Sequence, residues 1–148
     1  MRGILTHVDI PLFSIFSLIT ELLVTASVFY IIYRAYHGGG FMRGFAFAVL
    51  AYEILFNISY MLSRVLRHLP EHPHEQHEPF VVGVAIFHGL FSPVMFAALL
   101  VFFIRAAIVY GRGGNFFKDH PALTATFIGA WTLSIFSGVL FFFLLYIR

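Results

Sequence analysis

The sequence predicts an all-α fold: an integral membrane four-helix bundle, antiparallel and up-down, that takes up residues 1–148 as one transmembrane domain. Three observations predict it. The 148 residues are 60% hydrophobic and 11% charged, with a mean hydropathy of +0.90, and an ordinary soluble domain does not have that composition. Apolar runs at about 10–33, 45–68, 81–110 and 122–147 each reach the ~20 residues that a helix needs to cross a bilayer. Two of the connections are short and glycine-containing, which suits hairpins between antiparallel neighbours.

The same composition excludes several functions. A net charge of +2 comes from nine Lys and Arg residues scattered over loops and helix ends, with no basic patch, so no nucleic-acid partner is expected. Cysteine is absent, which rules out disulfides, thiolate metal sites, cysteine nucleophiles and covalent haem attachment. Any metal must be held by His, carboxylate, Met or Tyr. The 20 phenylalanines read as lipid and packing contacts.

The first run is too long for a signal-peptide core and has no A-x-A cleavage site, so it reads as a retained helix. Ser14, Ser17, Glu21 and Thr25 share one of its faces, and Glu21 is its only charge. Arg34, His37, the Gly38-Gly39-Gly40 turn and Arg43 follow as a hairpin loop. The second run holds the stretch around which the chain is organised, with Glu53, Asn57, Tyr60 and Arg64 in one polar stripe that His68 extends. An ionisable group in a membrane span is costly unless it faces protein or water, so this stripe is expected to look inward. It serves either as polar glue between helices or as a metal, haem, proton or partner site, and both readings stay open.

At about 1.5 Å per residue, Glu21 lies ~16 Å from the start of its helix and Glu53 ~12 Å from the opposite face. The two carboxylates therefore come within about one turn in depth, and they are expected to face each other across the hairpin and share a proton.

The loop at 69–79 mixes His72, His74 and His77 with Glu71, Glu75 and Glu78 between prolines. Such a tract can capture zinc or copper ions, but its spacing matches no defined motif, and a solvated, proline-stiffened loop is the preferred reading. The third run carries His88 about two turns in, Ser92-Pro93, where a bend is expected, and Arg105 near its far end. The connection from Gly111 to Pro121 lacks the lysine spacing and preceding strand of a phosphate-binding P-loop. Ala130, Ser134 and Gly138 form a small-residue seam on the fourth run that permits close helix approach.

Arg34, Arg43, Arg112 and Lys118 belong to the two glycine-containing loops, with Arg105 just inside, against Arg2, Arg64, Arg67 and Arg148 on the other face; the margin of one residue favours these loops inside and both termini and the 69–79 loop outside. Ordered by depth, His68 and His88 approach one membrane face and His37 and His120 the other. Histidine pairs on facing helices are the arrangement that binds b-type haem, so these four are the candidate cofactor ligands. A second set, His72, His74, His77, Glu21 and Glu53, reads as a path for a divalent or cuprous metal ion. No Ser-His-Asp or H-E-x-x-H arrangement is present, and the chain reads as a non-enzyme.

The pattern as a whole resembles the CtaM/YozB family of small bacterial membrane proteins. The match runs from Ile10-Pro11 to the C-terminus and includes Phe56-Asn57-Ile58-Ser59-Tyr60, the step from His88 to Arg105, and His120 followed by Trp131 and Ser137-Gly138-Val139. The resemblance implies a role in maturation of a haem-copper terminal oxidase (cytochrome c oxidase) and puts the loops after the first and third helices in the cytoplasm. The family pattern has further histidines where this chain has Met42 and Arg64. Either His37 and His68 replace them, or half of a metal or haem site is lost. Glu21 and Glu53 are not part of the family pattern. The expected function is therefore oxidase assembly or association, with haem or copper as the cofactor alternatives and respiratory-chain membrane subunits and the lipid bilayer as partners. A structural accessory subunit of a respiratory complex and a b-type haem electron carrier are the competing readings.

Overall fold

The computed structural model of the chain describes residues 12–66 and 78–147, with the side chains of residues 60, 61 and 63–66 outside the description. Every element is helical: α1 (Leu12–Tyr36), α2 (Arg43–Leu66), α3 (Pro79–Gly111), α4 (Phe116–Asp119) and α5 (Pro121–Tyr146). Three of them, α1, α3 and α5, are long and apolar enough to cross a membrane. The all-helical class stands, with three membrane-capable helices among the described residues. Five helices replace the four expected, because the second connection contains the one-turn α4, too short to show as a hydrophobic period.

The helix limits have local causes. Gly38 and Gly40 take φ of +85° and +75°, which a residue with a Cβ reaches only under strain, so the chain turns there between α1 and α2. Gly113 does the same after α3, with φ of +83°. Asn115 caps α4 by accepting a hydrogen bond from the Lys118 amide at 3.1 Å. Pro79 and Pro121 stand in the first turns of α3 and α5, where a missing N–H costs nothing. The helix α3 continues through Pro93. At 33 residues it is about 50 Å long, well beyond a hydrocarbon core of ~30 Å.

The long helices alternate in direction. The Tyr110 hydroxyl and the Asn115 amide both donate to the Ala35 carbonyl, at 3.0 and 2.9 Å, which brings the end of α3 to the end of α1. The Arg43 guanidinium lies against Gly111, so the start of α2 joins them. At the opposite end Ser14 and Tyr146 share a hydrogen bond of 3.0 Å. The turns at 37–42 and 112–120 therefore lie side by side, and Arg34, Arg43, Arg112 and Lys118 gather at one end of the molecule.

Packing is densest at that same end. Val28, Ile31, Leu99, Phe103 and Phe117 are fully buried there. The rings interlock. Phe102 stacks on Phe127 at 4.3 Å, Phe127 on Trp131 at 5.8 Å, and Phe41 meets Phe103 edge-on at 5.8 Å. The α4 turn drives Phe116 and Phe117 into this cluster, so the connection read from sequence as a plain loop is a plug in the core. Away from this end burial falls off: on α1 no described residue before Val24 is buried, and on α2 none after Leu50.

Two outcomes are expected. Truncating Phe103 to Ala should lower stability by about 3–5 kcal/mol, whereas the same change at outward-facing Phe136 should cost under about 0.5 kcal/mol, measured by reversible unfolding in detergent micelles. Asn115→Ala should cost about 1–3 kcal/mol by removing one of the bonds to the Ala35 carbonyl and uncapping α4, read as a lower Tm in the same micelles.

Candidate functional site

Among the described residues two polar centres lie within the long helices. On α1, Glu21 and Thr25 are one turn apart on the face turned toward the bundle. On α2, Glu53 and Asn57 are likewise one turn apart. The Asn57 amide donates to the Glu53 backbone carbonyl at 2.8 Å and to its carboxylate at 3.2 Å. Glu21 and Glu53 are close enough to interact electrostatically across the α1–α2 pair, and both are half-buried. Thr25 accepts a hydrogen bond from the Trp131 indole at 3.2 Å, so α5 closes the other side of α1 at this depth. Among the described residues no lysine or arginine pairs with either carboxylate.

The second centre joins α3 to α5. His88 Nδ1 lies 3.0 Å from the Ser137 hydroxyl, which in turn lies 2.6 Å from the Ser134 carbonyl. A carbonyl oxygen only accepts, so the single Ser137 proton points to Ser134. The hydroxyl must then accept from His88, which places the imidazole proton on Nδ1 and leaves Nε2 as an acceptor. The ring rests directly on Gly138, where an added Cβ would come within 2.7 Å of Cε1. The seam on α5 thus receives an imidazole rather than an aliphatic ridge. Beside it runs an apolar groove of about 510 Å³ between α3 and α5, lined by Phe87, Phe136 and Ser137 among others.

The remaining candidates divide between described and undescribed positions. His68, His72, His74 and His77 lie outside the described residues, as do the side chains of Tyr60 and Arg64. His37 packs against Tyr33 at 4.3 Å between ring centroids, and its Nδ1 donates to the Tyr33 carbonyl at 2.9 Å. It borders a groove of about 430 Å³ between α1 and α5. His120 stands at the start of α5 with its ring on Phe116 at 5.2 Å. His37 and His120 thus share an end of the molecule, but each stacks on its own aromatic neighbours.

A haem or copper ion needs a convergent donor set, and the described residues do not supply one. No group of three His, Cys, Asp or Glu comes together among them. His88 is oriented as a ligating imidazole would be, with one nitrogen fixed and the other open, yet it is a single donor. Its polar partners are hydroxyl and carbonyl groups of α5, and Glu21 and Glu53 belong to the other centre.

Sequence reasoning missed Ser137 as the partner of His88, and it missed the Tyr110–Asn115–Ala35 junction altogether. The first had a signal, since Ser137 adjoins the seam residue Gly138. The second had none, because its acceptor is a backbone carbonyl far away in the chain.

Nitrogen chemical shifts of the neutral imidazole should show the His88 proton on Nδ1. Ser137→Ala and Gly138→Ala should each remove that preference, while Gly129→Ala, whose added Cβ meets nothing within 4 Å, should leave it intact. A wild-type proton on Nε2 would refute the hydrogen-bond chain. Comparison with protein-family models, with curated proteins and with solved structures finds no match for this chain, so its function must be argued from these residues.

Proposed function

We propose that the chain is a four-span protein of the bacterial inner membrane, with α2 as the fourth span, that assists assembly of, or associates with, a haem-copper terminal oxidase through helix packing. The observation that carries the reading is where the residues of the CtaM/YozB resemblance fall. Asn57 holds Glu53 on α2, His88 meets Ser137 and Gly138 between α3 and α5, and Trp131 bonds Thr25 between α5 and α1. Residues that a family keeps for a shared architecture are expected at such junctions rather than on the lipid face.

The orientation proposed has the turns at 37–42 and 112–120 in the cytoplasm and both termini outside. It is supported by the gathering of Arg34, Arg43, Arg112 and Lys118 at the end that holds those turns. A packing role is supported by the bonds that His88 and Trp131 make between helices, which tie α3 to α5 and α5 to α1.

The test is deletion in a bacterium that carries the chain. Loss of the chain should strip haem-copper oxidase activity and the matching haem absorbance from the membranes while the oxidase subunits are still synthesised, and re-expression should restore both. His88→Ala should restore them as well if His88 packs, and should fail if it ligates. Unchanged oxidase content in the deletion strain would end the proposal. Purified mature oxidase should hold the chain well below one copy per enzyme; a fixed one-to-one ratio would make it an accessory subunit instead.

A further inference from the structure

Three arginines at the basic end come from three different helix ends and are joined by contact. The stem of Arg34 lies over Gly39, and its guanidinium donates to the Met42 sulfur at 3.1 Å. Arg43, the next residue, lays its guanidinium on Gly111, and Arg112 follows Gly111 directly. All three arginines are exposed. Within 34–47 and 104–121, the segments that form this end, the only carboxylate is Asp119, which accepts from the Asn115 amide at 3.1 Å.

The backbone beside the arginines is open as well. The helix α2 begins at Arg43 with no acidic side chain in its first turn, and a helix start leaves amides without an intrahelical acceptor. An added Cβ at Gly44 in that turn would meet nothing within 4 Å, so an anion can come up to this backbone. Deeper along the helices the surface turns apolar. Phe47 stands one turn and Ile54 three turns after Arg43, within about 40° of it on the face of α2. Ile104 stands two turns before Gly111, on the side of α3 that Arg43 meets. Phe47, Ile54 and Ile104 are exposed, so an apolar track leads away from the arginines along the outside of the α2–α3 pair.

We propose that Arg34, Arg43 and Arg112 hold the phosphate of an anionic phospholipid such as phosphatidylglycerol, whose acyl chain lies along Phe47, Ile54 and Ile104. Planar guanidinium groups match phosphate oxygens, and basic pockets between helix ends at a membrane surface take up anionic headgroups. A soluble anion would use the arginines alone, whereas a lipid uses the arginines and the apolar track together. The site goes beyond the oxidase reading and does not depend on it. It also asks more of these arginines than membrane orientation does, which depends on their number and not on their contacts.

The test is native mass spectrometry of the full-length chain in uncharged detergent micelles, titrated with phosphatidylglycerol or with phosphatidylcholine of the same acyl chains. The first phosphatidylglycerol should bind at least about tenfold more tightly than the first phosphatidylcholine. Arg43→Gln should weaken phosphatidylglycerol binding about fivefold, as should Arg112→Gln, and the triple change with Arg34→Gln should bring it to the phosphatidylcholine level. Arg105→Gln removes the same charge a third of the way around α3 from Gly111 and should change binding by less than about twofold. Emission from Trp131, the chain's one tryptophan, reports whether each variant keeps its packed end. Equal binding of the two lipids by the wild-type chain would overturn the proposal. So would an equal loss from Arg105→Gln and Arg43→Gln, which would assign the preference to overall charge. Displacement of phosphatidylglycerol by inorganic phosphate at the same concentration would assign the arginines to a soluble anion and would overturn it too.

Discussion

Hydrocarbon offers no hydrogen bonds, and that constraint accounts for most of what the polar residues of this chain do. Each polar side chain within the long helices has to find a partner inside the protein or a nearby backbone carbonyl. Thr20, Ser27 and Thr132 bond carbonyls three or four residues back in their own helices, which leaves them neutral toward their neighbours. Ser14, Thr25, His88 and Tyr110 reach instead to another helix or to the backbone of one. These few bonds fix which helix lies beside which, because apolar surface alone does not distinguish one helix from another when the solvent is equally apolar.

Within that frame the aromatic cluster supplies the rigidity. Phe41, Phe102, Phe103, Phe117 and Phe127 come from both turns and three long or short helices, and their rings meet at distances and angles that aromatic pairs prefer. The Asn115 side chain serves several masters at once, donating to Ala35, accepting from Lys118 and lying against the Tyr110 hydroxyl. One amide thereby ties α1, α3 and α4 together at the basic end of the molecule.

The helical class and the helix limits were legible in the sequence because hydrophobic run length is a strong local signal. The one-turn spacing that lets Asn57 reach Glu53 was legible too. Two things were not. The α4 plug is four residues long, and Phe116-Phe117 reads the same whether it faces lipid, water or a core. The partner of His88 depends on how α3 and α5 are rotated and shifted, and an apolar helix whose polar residues are few leaves that rotation unmarked. His68, the expected partner of His88, lies outside the described residues.

The order in which the core is completed bears on how the protein is made. Val28, Ile31 and Ala35 of α1 belong to the buried cluster that α4 and α5 complete, and those helices follow α1, α2 and α3 in the chain. The face of α1 that meets α4 and α5 therefore stays bare while α2 and α3 are made. A chain cut short after α3 would leave that face exposed to whatever helix arrives first.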